Sequence, residues 1–330
     1  MPTVMFTPEA LVRVEGPWVE MLQAAGFRVA YPEDSTFTRG LCGQAETIRV
    51  LQDADALIAG AEFLTAEVLA GLPKLRVIAR AGVGYDRVDV AAATSRGIPL
   101  TITPTANHEA VAETVFALMF AIAKSVIAND ARVRTGGWRK GPTQPIRGMT
   151  LGLFGLGRIG RSTAVRARAM GMTVIATETC PDLEFVKQHS IELVDFETLI
   201  ARSDYLSIHC PLNSETRGMF NRNVFGRMRP GSVFINTARG ELVNESDLVD
   251  ALASHLGAAG LDVFAKEPPS ADNPLFRCEN LVASPHLGGA DTLAQVSMAI
   301  EAADCIIKLS RNEWPSLAVV NKELELQWKW

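Results

Sequence analysis

The sequence predicts an α/β protein built from two doubly wound parallel-sheet domains. Short apolar runs typical of buried strands alternate with amphipathic stretches typical of helices. This alternation occurs twice, once in the first hundred residues and again from residue 150 to about 284. A chain of 330 residues with 48% hydrophobic and 21% charged residues is long and apolar enough to bury two cores. Apolar strands separated by helices favour parallel sheets covered on both faces.

The first series has five predicted strands, at residues 4–6, 28–30, 56–58, 76–79 and 99–102. Helices are expected between them, for example at 17–25 and 88–95. A long helix at 109–133 then leads to a polar loop at 136–148.

The second series includes predicted strands at residues 151–154, 174–176, 205–208, 233–235 and 281–283. A last helix at about 290–309 precedes the apolar run 317–320, which most simply packs back on the first unit. We therefore predict one domain from residues 1–103 plus 290–330 and a second from residues 104–289.

Composition excludes several classes of function. The formal net charge is −5 and no basic run occurs, so nucleic acid is not an expected partner. The five cysteines are dispersed, as in reduced cytoplasmic proteins, and the N-terminus lacks the features of a signal peptide. The longest apolar run, residues 115–123, is half the length of a membrane span. The five histidines show no metal-ligand spacing, and neither a G-x-S-x-G nor a P-loop motif is present. We expect no metal, no membrane association and a cytoplasmic location.

A glycine motif follows the predicted strand 151–154 and opens a helix predicted at 159–170. It reads Gly155-Leu156-Gly157-Arg158-Ile159-Gly160. The first glycine permits a tight turn, the second lets backbone approach a pyrophosphate, and the third allows helix and strand to pack closely. The free N–H groups of the helix N-terminus would face the phosphates. The motif predicts a Rossmann dinucleotide-binding domain.

The identity of the dinucleotide is indicated by Glu178, which lies 23 residues beyond Gly155 and follows strand 174–176. An acidic residue at this position binds the ribose hydroxyls of NAD. No arginine stands beside it to neutralise a 2′-phosphate, so NAD is predicted rather than NADP.

Three further segments place reactive side chains just beyond apolar strands, where open α/β sheets bind their ligands. They carry Arg239 before Gly240, Glu267 before two prolines, and His286 in Ser-Pro-His-Leu-Gly-Gly. Reduction of a 2-keto acid needs a proton donor, a cation to hold the carboxylate and a group that keeps the donor protonated. Taken singly, such an arginine is more often part of a surface ion pair, such a glutamate is usually solvated, and such a histidine is often a helix cap.

Together these motifs resemble those of the D-isomer-specific 2-hydroxyacid dehydrogenase family, which includes D-3-phosphoglycerate dehydrogenase. The resemblance extends from Arg80-Ala81-Gly82-Val83-Gly84-Tyr85-Asp86 to the final helix. It implies a flavodoxin-like substrate domain beside the NAD-binding domain. The family's catalytic arginine, glutamate and histidine fall on Arg239, Glu267 and His286.

The resemblance also implies roles for these residues. His286 would be the general acid in reduction, and Glu267 would favour its protonated form. Arg239 would clamp the carboxylate and carbonyl oxygens. The N–H groups of Val83 and Gly84 would hold the substrate carboxylate, with Arg80 nearby.

Further cofactor contacts follow from the resemblance. The positions concerned are Arg158 and Ile159 at the pyrophosphate, Cys210 and Pro211 after a strand, Thr237 and Ala238 beside the nicotinamide, Asp262 as acceptor from the carboxamide, and Gly288 closing the site. Cys210 replaces a commoner threonine. Asn244 stands where an acid is frequent, and we expect it to cap the helix 245–253.

One function of another class remains open, and one related enzyme differs at a catalytic position. NAD-sensing transcriptional corepressors resemble the family even at the catalytic positions. A formate dehydrogenase would also be similar, but it would have glutamine in place of Glu267.

Two finer expectations concern substrate and assembly. D-3-phosphoglycerate dehydrogenases carry an arginine after the strand that corresponds here to 56–59, whereas this chain has Gly-Ala-Glu-Phe at 60–63. A small uncharged 2-substituent, as in glyoxylate or hydroxypyruvate, is therefore expected, unless Arg132, Arg134 or Arg139 of a partner subunit reaches the site. The helix 109–133 and the loop 136–148 with Trp138 predict a homodimer.

Overall fold

The computed structural model describes residues 1–34, 37, 41–138 and 141–330; Arg139 lies outside them. Within these residues the chain divides into two compact units. The first comprises Met1–Asn107 and Ala290–Trp330, and the second comprises His108–Gly289.

The strands of the described residues form two parallel sheets, as the sequence predicts. The first unit has a five-stranded sheet in the order β2-β1-β3-β4-β5. The second has a seven-stranded sheet in the order β12-β11-β10-β9-β6-β7-β8. The strand bounds are β1 Thr3–Phe6, β2 Arg28–Ala30, β3 Ala56–Ala59, β4 Val77–Arg80, β5 Leu100–Thr101, β6 Thr150–Phe154, β7 Thr173–Thr177, β8 Glu192–Leu193, β9 Tyr205–Ile208, β10 Val233–Asn236, β11 Ala258–Leu261 and β12 Leu281–Ala283.

Helices connect the strands and cover both faces of each sheet. Their bounds are α1 Pro17–Ala24, α2 Gln44–Leu51, α3 Ala66–Ala70, α4 Val90–Ser95, α5 His108–Ala123, α6 Val126–Arg134, α7 Arg158–Ala169, α8 Leu183–Gln188, α9 Phe196–Arg202, α10 Arg222–Phe225, α11 Glu245–Ser254 and α12 Thr292–Ser310. Alternate residues of one strand enter different cores: Val4 and Phe6 pack with α1 and α12, whereas Met5 packs with residues of α2 and α3. Both faces of the central strands are therefore apolar, as buried parallel strands require.

The run 317–320 packs on the first unit. Val319 forms an antiparallel bridge with Thr101 of β5. The backbone N–H of Val320 donates to the carbonyl of Leu100, and that of Ile102 donates to the carbonyl of Ala318. The C-terminal segment thus extends the edge of the five-stranded sheet.

The single helix predicted at 109–133 is wrong. Ser125 adopts a left-handed conformation with φ 50°, and α5 and α6 meet there at 55°. Apolar side chains on much of α5 are buried in the second unit, whereas α6 buries none. The break separates a core helix from a surface helix, a distinction that the continuous helical periodicity of the sequence does not show.

Within the described ranges, no single helix is long and apolar enough to cross a membrane; only the bent pair α5–α6 meets the length and composition limits.

Candidate active site

The three predicted catalytic side chains follow neighbouring strands of the seven-stranded sheet. Arg239 follows β10, Glu267 lies in the loop after β11, and His286 follows β12. These strands are adjacent and parallel, with Ile235 paired to Gly260 and Gly260 paired to Val282. Their carboxyl ends therefore lie at one edge of the sheet, where ligands bind in open α/β folds.

His286 and Glu267 form a hydrogen-bonded pair. The imidazole Nδ1 lies 2.8 Å from Oε2 of Glu267, and the side chains are 44% and 20% exposed. The other carboxylate oxygen, Oε1, accepts a hydrogen bond from the backbone N–H of Phe264 at 3.2 Å. With Nδ1 donating to the carboxylate, Nε2 is the nitrogen left to exchange a proton with a ligand.

The loop that carries His286 is anchored by Asp262, which is 1% exposed. Its Oδ1 accepts from the N–H of Leu287 at 3.0 Å and its Oδ2 from the N–H of Gly288 at 2.8 Å. The N–H of His286 donates to the Asp262 carbonyl at 2.7 Å, and His286 has a left-handed backbone with φ 56°. A Cβ on Gly288 would lie 2.6 Å from Oδ2 of Asp262, so glycine permits this anchor. From the sequence, Asp262 and Gly288 were expected only as cofactor contacts, and their role in anchoring the His286 loop was missed.

The turn that presents Arg239 is held by a buried asparagine that sequence reasoning did not single out. Asn236 accepts from the N–H of Ala238 at 2.9 Å and donates to the carbonyl of Arg239 at 2.8 Å. A Cβ on Gly240 would lie 1.9 Å from the carbonyl carbon of Phe264, so the loops after β10 and β11 touch through backbone. Asn236 could have been identified from the sequence, because it is a polar amide at the end of an otherwise apolar strand.

The glycine motif has the geometry that a dinucleotide pyrophosphate requires. Gly155 has φ 102°, and a Cβ on Gly160 would lie 2.3 Å from the Gly155 carbonyl oxygen. A Cβ on Gly157 would meet no described atom within 4 Å, which leaves open space above the loop. Gly157 is also the N-cap of α7, and within the described residues no side chain caps this helix. The first N–H groups of α7, from Arg158 onward, are thus available to an anion.

Glu178 follows β7 and lies against the glycine motif. Its Oε2 accepts from the N–H of Leu156 at 2.7 Å and its Oε1 from the N–H of Cys180 at 3.0 Å. Partial burial opposes ionisation of this carboxyl, but the hydrogen bonds from backbone and Thr179 prevail and lower its pKa. The group is therefore a carboxylate at neutral pH and can accept hydrogen bonds.

The loop after β9 approaches the glycine motif from the next strand. A Cβ on Gly155 would lie 3.0 Å from the carbonyl of His209 and 3.2 Å from the N–H nitrogen of Cys210, which precedes Pro211. Burial raises the pKa of Cys210 to about 11 and lowers that of His209 to about 4, so both side chains are uncharged.

A polar atom without a protein partner lies one strand further along the same edge. Among the described residues, the buried hydroxyl of Thr237 has no hydrogen-bond partner, while the neighbouring Ala238 supplies no polar side-chain atom. An unsatisfied buried hydroxyl costs free energy unless a ligand or water pairs with it. This hydroxyl, the open space at Gly157 and the carboxylate of Glu178 together fit a bound dinucleotide.

The predicted carboxylate loop belongs to the first unit and follows β4. Gly82, with φ 145°, is held at both backbone groups by Thr103, whose Oγ1 accepts at 2.8 Å and whose N–H donates at 3.0 Å. Arg80 Nε donates to the carbonyl of Gly84 at 3.1 Å. Val83 and Gly84 thus lie in a loop tied down at both ends.

Across residues 1–34, 37, 41–138 and 141–330, no group of three His, Cys, Asp or Glu side chains is arranged to hold a metal ion.

Comparison with protein families identifies the second unit. Residues 116–288 match the family model described as the NAD binding domain of D-isomer specific 2-hydroxyacid dehydrogenases. This range includes the glycine motif, Glu178 and all three predicted catalytic residues, so the second unit contains an NAD-binding domain.

Relatives of known name cover most of the chain. It is 40% identical over 267 residues to D-3-phosphoglycerate dehydrogenase of Mycobacterium leprae, a match that covers 80% of this chain and 50% of that protein. It is 37% identical over 285 residues to glyoxylate reductase of Thermococcus litoralis, covering 83% of this chain and 86% of that protein. The chain therefore spans about half the length of its phosphoglycerate dehydrogenase relatives.

Solved structures confirm the predicted fold class. The TT0316 protein of Thermus thermophilus superposes with a TM-score of 0.85 at 33% identity, covering 96% of this chain and 100% of that one.

Proposed function

This chain belongs to the D-isomer specific 2-hydroxyacid dehydrogenase family, and on that premise we propose that it is an NAD-dependent dehydrogenase that interconverts small 2-keto acids and D-2-hydroxy acids. The observation that carries the proposal is the pair of His286 and Glu267, with Nδ1 and Oε2 2.8 Å apart at the carboxyl edge of the NAD-binding domain.

NAD would be held by the residues whose geometry fits it. The N–H groups of Arg158 and Ile159 would bind the pyrophosphate above Gly157, and Glu178 would accept from the ribose hydroxyls. Loop residues would contact the nicotinamide side: Cys210, Pro211, Thr237, Ala238, Asp262 and Gly288. The NAD held there would supply, or take up, the hydride that is exchanged with C2 of the substrate.

His286 would move the proton. Its Nδ1–H donates to Glu267, which fixes the tautomer and leaves Nε2 to give a proton to the forming hydroxyl or to take it back in oxidation. The carboxylate of Glu267 would hold the imidazole in this orientation and is itself oriented by the N–H of Phe264.

Arg239 would bind the carboxylate and polarise the carbonyl of the substrate. Arginine presents fixed donors in a fork that matches a carboxylate. The Asn236 bonds and the backbone contact at Gly240 hold the turn that carries it. Such prior organisation lowers the cost of stabilising charge during the reaction.

The first unit, which we propose as the substrate domain, would supply the carboxylate loop. The N–H groups of Val83 and Gly84 would donate to the substrate carboxylate, with Arg80 organising their loop through its bond to the Gly84 carbonyl. The proposed domains are residues 1–103 plus 290–330 and residues 104–289.

We propose a substrate with a small uncharged 2-substituent, such as glyoxylate or hydroxypyruvate. Recognition of a phosphate needs clustered cations or a helix N-terminus, and the loop after β3 carries Glu62 instead. A D-3-phosphoglycerate dehydrogenase activity is the alternative, and it would need a further cation such as Arg132 or Arg134 of a partner subunit.

The substrate class is tested with a panel of 2-keto acids. We expect NADH oxidation with glyoxylate or hydroxypyruvate, and a kcat/KM for 3-phosphohydroxypyruvate below that of the better of the two. A kcat/KM for 3-phosphohydroxypyruvate tenfold above those of the other acids would instead support a D-3-phosphoglycerate dehydrogenase activity. No turnover with any acid would favour an NAD-sensing interaction protein of the corepressor type.

A homodimer is proposed on the surface of α6. Val126, Ile127 and Val133 are 52%, 59% and 57% exposed, and Trp138 beyond the helix is 79% exposed. Apolar side chains concentrated on one helix are typical of an interface. Light scattering at micromolar concentration should give twice the chain mass of 35.6 kDa. A mass near that of one chain would contradict the dimer.

We also propose a cytoplasmic location, because Cys42, Cys180, Cys210, Cys278 and Cys305 are all free thiols. Fractionation of the native host, with a known cytoplasmic enzyme as marker, tests it.

A further inference from the structure

The glycine motif holds an arginine that does not neighbour Glu178 in the sequence. Arg161 lies on α7, and its Nε donates to the carbonyl of Leu156 at 3.1 Å. The N–H of the same Leu156 donates to Oε2 of Glu178 at 2.7 Å. The fold therefore fastens Arg161 and Glu178 to one residue of the glycine motif.

The rest of the Arg161 guanidinium is held at the start of α8. Its Nη1 donates to Oδ2 of Asp182 at 2.9 Å, and its central carbon lies 5.2 Å from the centre of the Phe185 ring. The side chains of Arg161 and Asp182 are 35% and 43% exposed, so this ion pair lies at the surface. Because exposed ion pairs are weak, an anion that approaches from solvent competes for the arginine.

Asp182 is itself fixed by the helix that it begins. It is the N-cap of α8, and its Oδ1 accepts from the N–H of Phe185 at 3.2 Å. Its two oxygens thus have separate tasks, since Oδ1 caps the helix and Oδ2 holds Arg161. A helix cap needs an oxygen but no charge, so a substitution can separate the two tasks.

The position of this ion pair bears on the choice between NAD and NADP. In dinucleotide-binding folds the acid after the second strand accepts from the 2′-hydroxyl of the ribose, and NADP carries a phosphate on that oxygen. An arginine nearby is the group that accommodates the 2′-phosphate. Arg161 shares Leu156 with Glu178, so the fold places such a cation beside the proposed ribose position and pairs it with Asp182.

We propose that Asp182 is a specificity-determining residue, which holds Arg161 in an internal ion pair and so withholds from NADP the cation that its 2′-phosphate needs. The inference rests on the proposed function, in which Glu178 accepts from the ribose hydroxyls. The two carboxylates then act differently: Glu178 repels the 2′-phosphate directly, and Asp182 engages the arginine that would attract it. Discrimination can come from denying a contact to the wrong ligand as well as from adding one to the right ligand.

The test compares Asp182→Asn with Asp195→Asn. Asparagine keeps an oxygen for the cap and removes the charge that pairs with Arg161. Asp195 is the matched control, because it is the exposed N-cap of α9, accepts from the N–H of Thr198 at 2.7 Å and forms no ion pair with any described residue. Fluorescence titration gives the Kd of NADH and of NADPH for each variant at one ionic strength, and the melting temperature reports folding.

We expect the ratio of the NADPH Kd to the NADH Kd to fall about fivefold in Asp182→Asn, the upper range for an exposed ion pair. The Kd of NADH itself should not change, because a ribose hydroxyl does not need the arginine. Asp195→Asn should leave both Kd values as in wild type.

Arg161→Gln identifies the cause of the change. In that background the arginine is absent, so Asp182→Asn should lower the ratio by less than it does in the presence of Arg161. An equal fall in both backgrounds would mean that Asp182 acts only by repelling the phosphate, and the inference would be wrong.

Other results also separate the inference from the proposed function. An unchanged ratio in a folded Asp182→Asn overturns the inference alone, as does an equal fall in Asp195→Asn. A wild type that binds neither NADH nor NADPH overturns the proposed function as well. If Asp182→Asn does not fold, Asp182→Ser, which also caps a helix without a charge, must show the same fall in ratio.

Discussion

The carboxyl edges of the two sheets each hold a glutamate, but in opposite settings. Glu267 of the second unit keeps 20% of its side chain exposed and hydrogen-bonds an imidazole. Glu62 of the first unit is 2% exposed and accepts hydrogen bonds from the Thr7 hydroxyl and the Gly60 N–H. An imidazole can both donate and accept a proton, whereas the groups that contact Glu62, a hydroxyl and a backbone N–H, stay uncharged. The seven-stranded edge is therefore suited to moving protons, whereas the five-stranded edge holds a carboxyl group in a fixed position.

The largest effect that this comparison predicts is on turnover. His286→Gln should lower kcat by about 10²–10⁴-fold, the range of general acid catalysis, while NADH affinity and melting temperature stay close to wild type. His189→Gln, in the same unit but outside the proposed site, is the matched control. Near-normal turnover in His286→Gln would contradict the role of His286 as the proton donor.

Two glycines of the seven-stranded edge have different predicted roles. Gly240 is required for packing, and Gly157 leaves room for the cofactor. Gly240→Ala places a Cβ against the Phe264 backbone, so we expect a loss of about 1–3 kcal/mol in unfolding free energy and lower kcat/KM. Gly157→Ala meets no described atom, so stability should be unchanged while NADH binds more weakly. Urea unfolding measures the stability of each variant, and fluorescence titration measures its NADH affinity. Equal changes of both quantities in the two variants would contradict the different roles of Gly240 and Gly157.

A third glutamate, Glu178, is kept charged by backbone hydrogen bonds, and its predicted effect is on the choice of cofactor. Glu178 should favour NADH over NADPH, since a hydrogen bond to a charged group contributes about 1.5–3 kcal/mol, or roughly tenfold to a hundredfold in kcat/KM, and its charge repels a 2′-phosphate. Glu178→Gln should reduce that preference. Comparable kcat/KM values for the two cofactors in wild type would refute the role.

The smallest predicted effect is a pH dependence of stability with opposite signs in the two units. Burial lowers the pKa of His209 from 6.5 to about 4, so the unfolded chain binds this proton first and stability is lost as the pH falls through that interval. Burial raises the pKa of Glu62 above 4.5 against the Thr7 and Arg80 interactions, so its contribution is lost as the pH rises through the raised pKa.

Each of these two changes of stability with pH can be tested with a separate variant. In urea unfolding across a pH series, His209→Asn should flatten the acid limb only, and Glu62→Gln should flatten the loss towards higher pH only. If His209→Asn leaves the acid limb unchanged, the acid sensitivity arises elsewhere.

Much of the molecule was readable in the sequence because the information is local. Apolar runs of strand length identified β1, β9 and β12 almost to the residue. Asn244 caps α11 as predicted, its Oδ1 accepting from the N–H of Asp247. The glycine spacing at 155–160 requires only its own strand and helix, and it lies within the matched NAD-binding domain.

The sequence by itself determined the two alternating series, the glycine motif and the order of Arg239, Glu267 and His286, since each depends on neighbours along the chain. Only the tertiary structure decided the break at Ser125, the backbone contact between Gly240 and Phe264, the anchoring of the His286 loop by Asp262 and the burial of Glu62. These features arise where distant segments meet, and a residue's burial and charge environment are set by those partners rather than by its own sequence window.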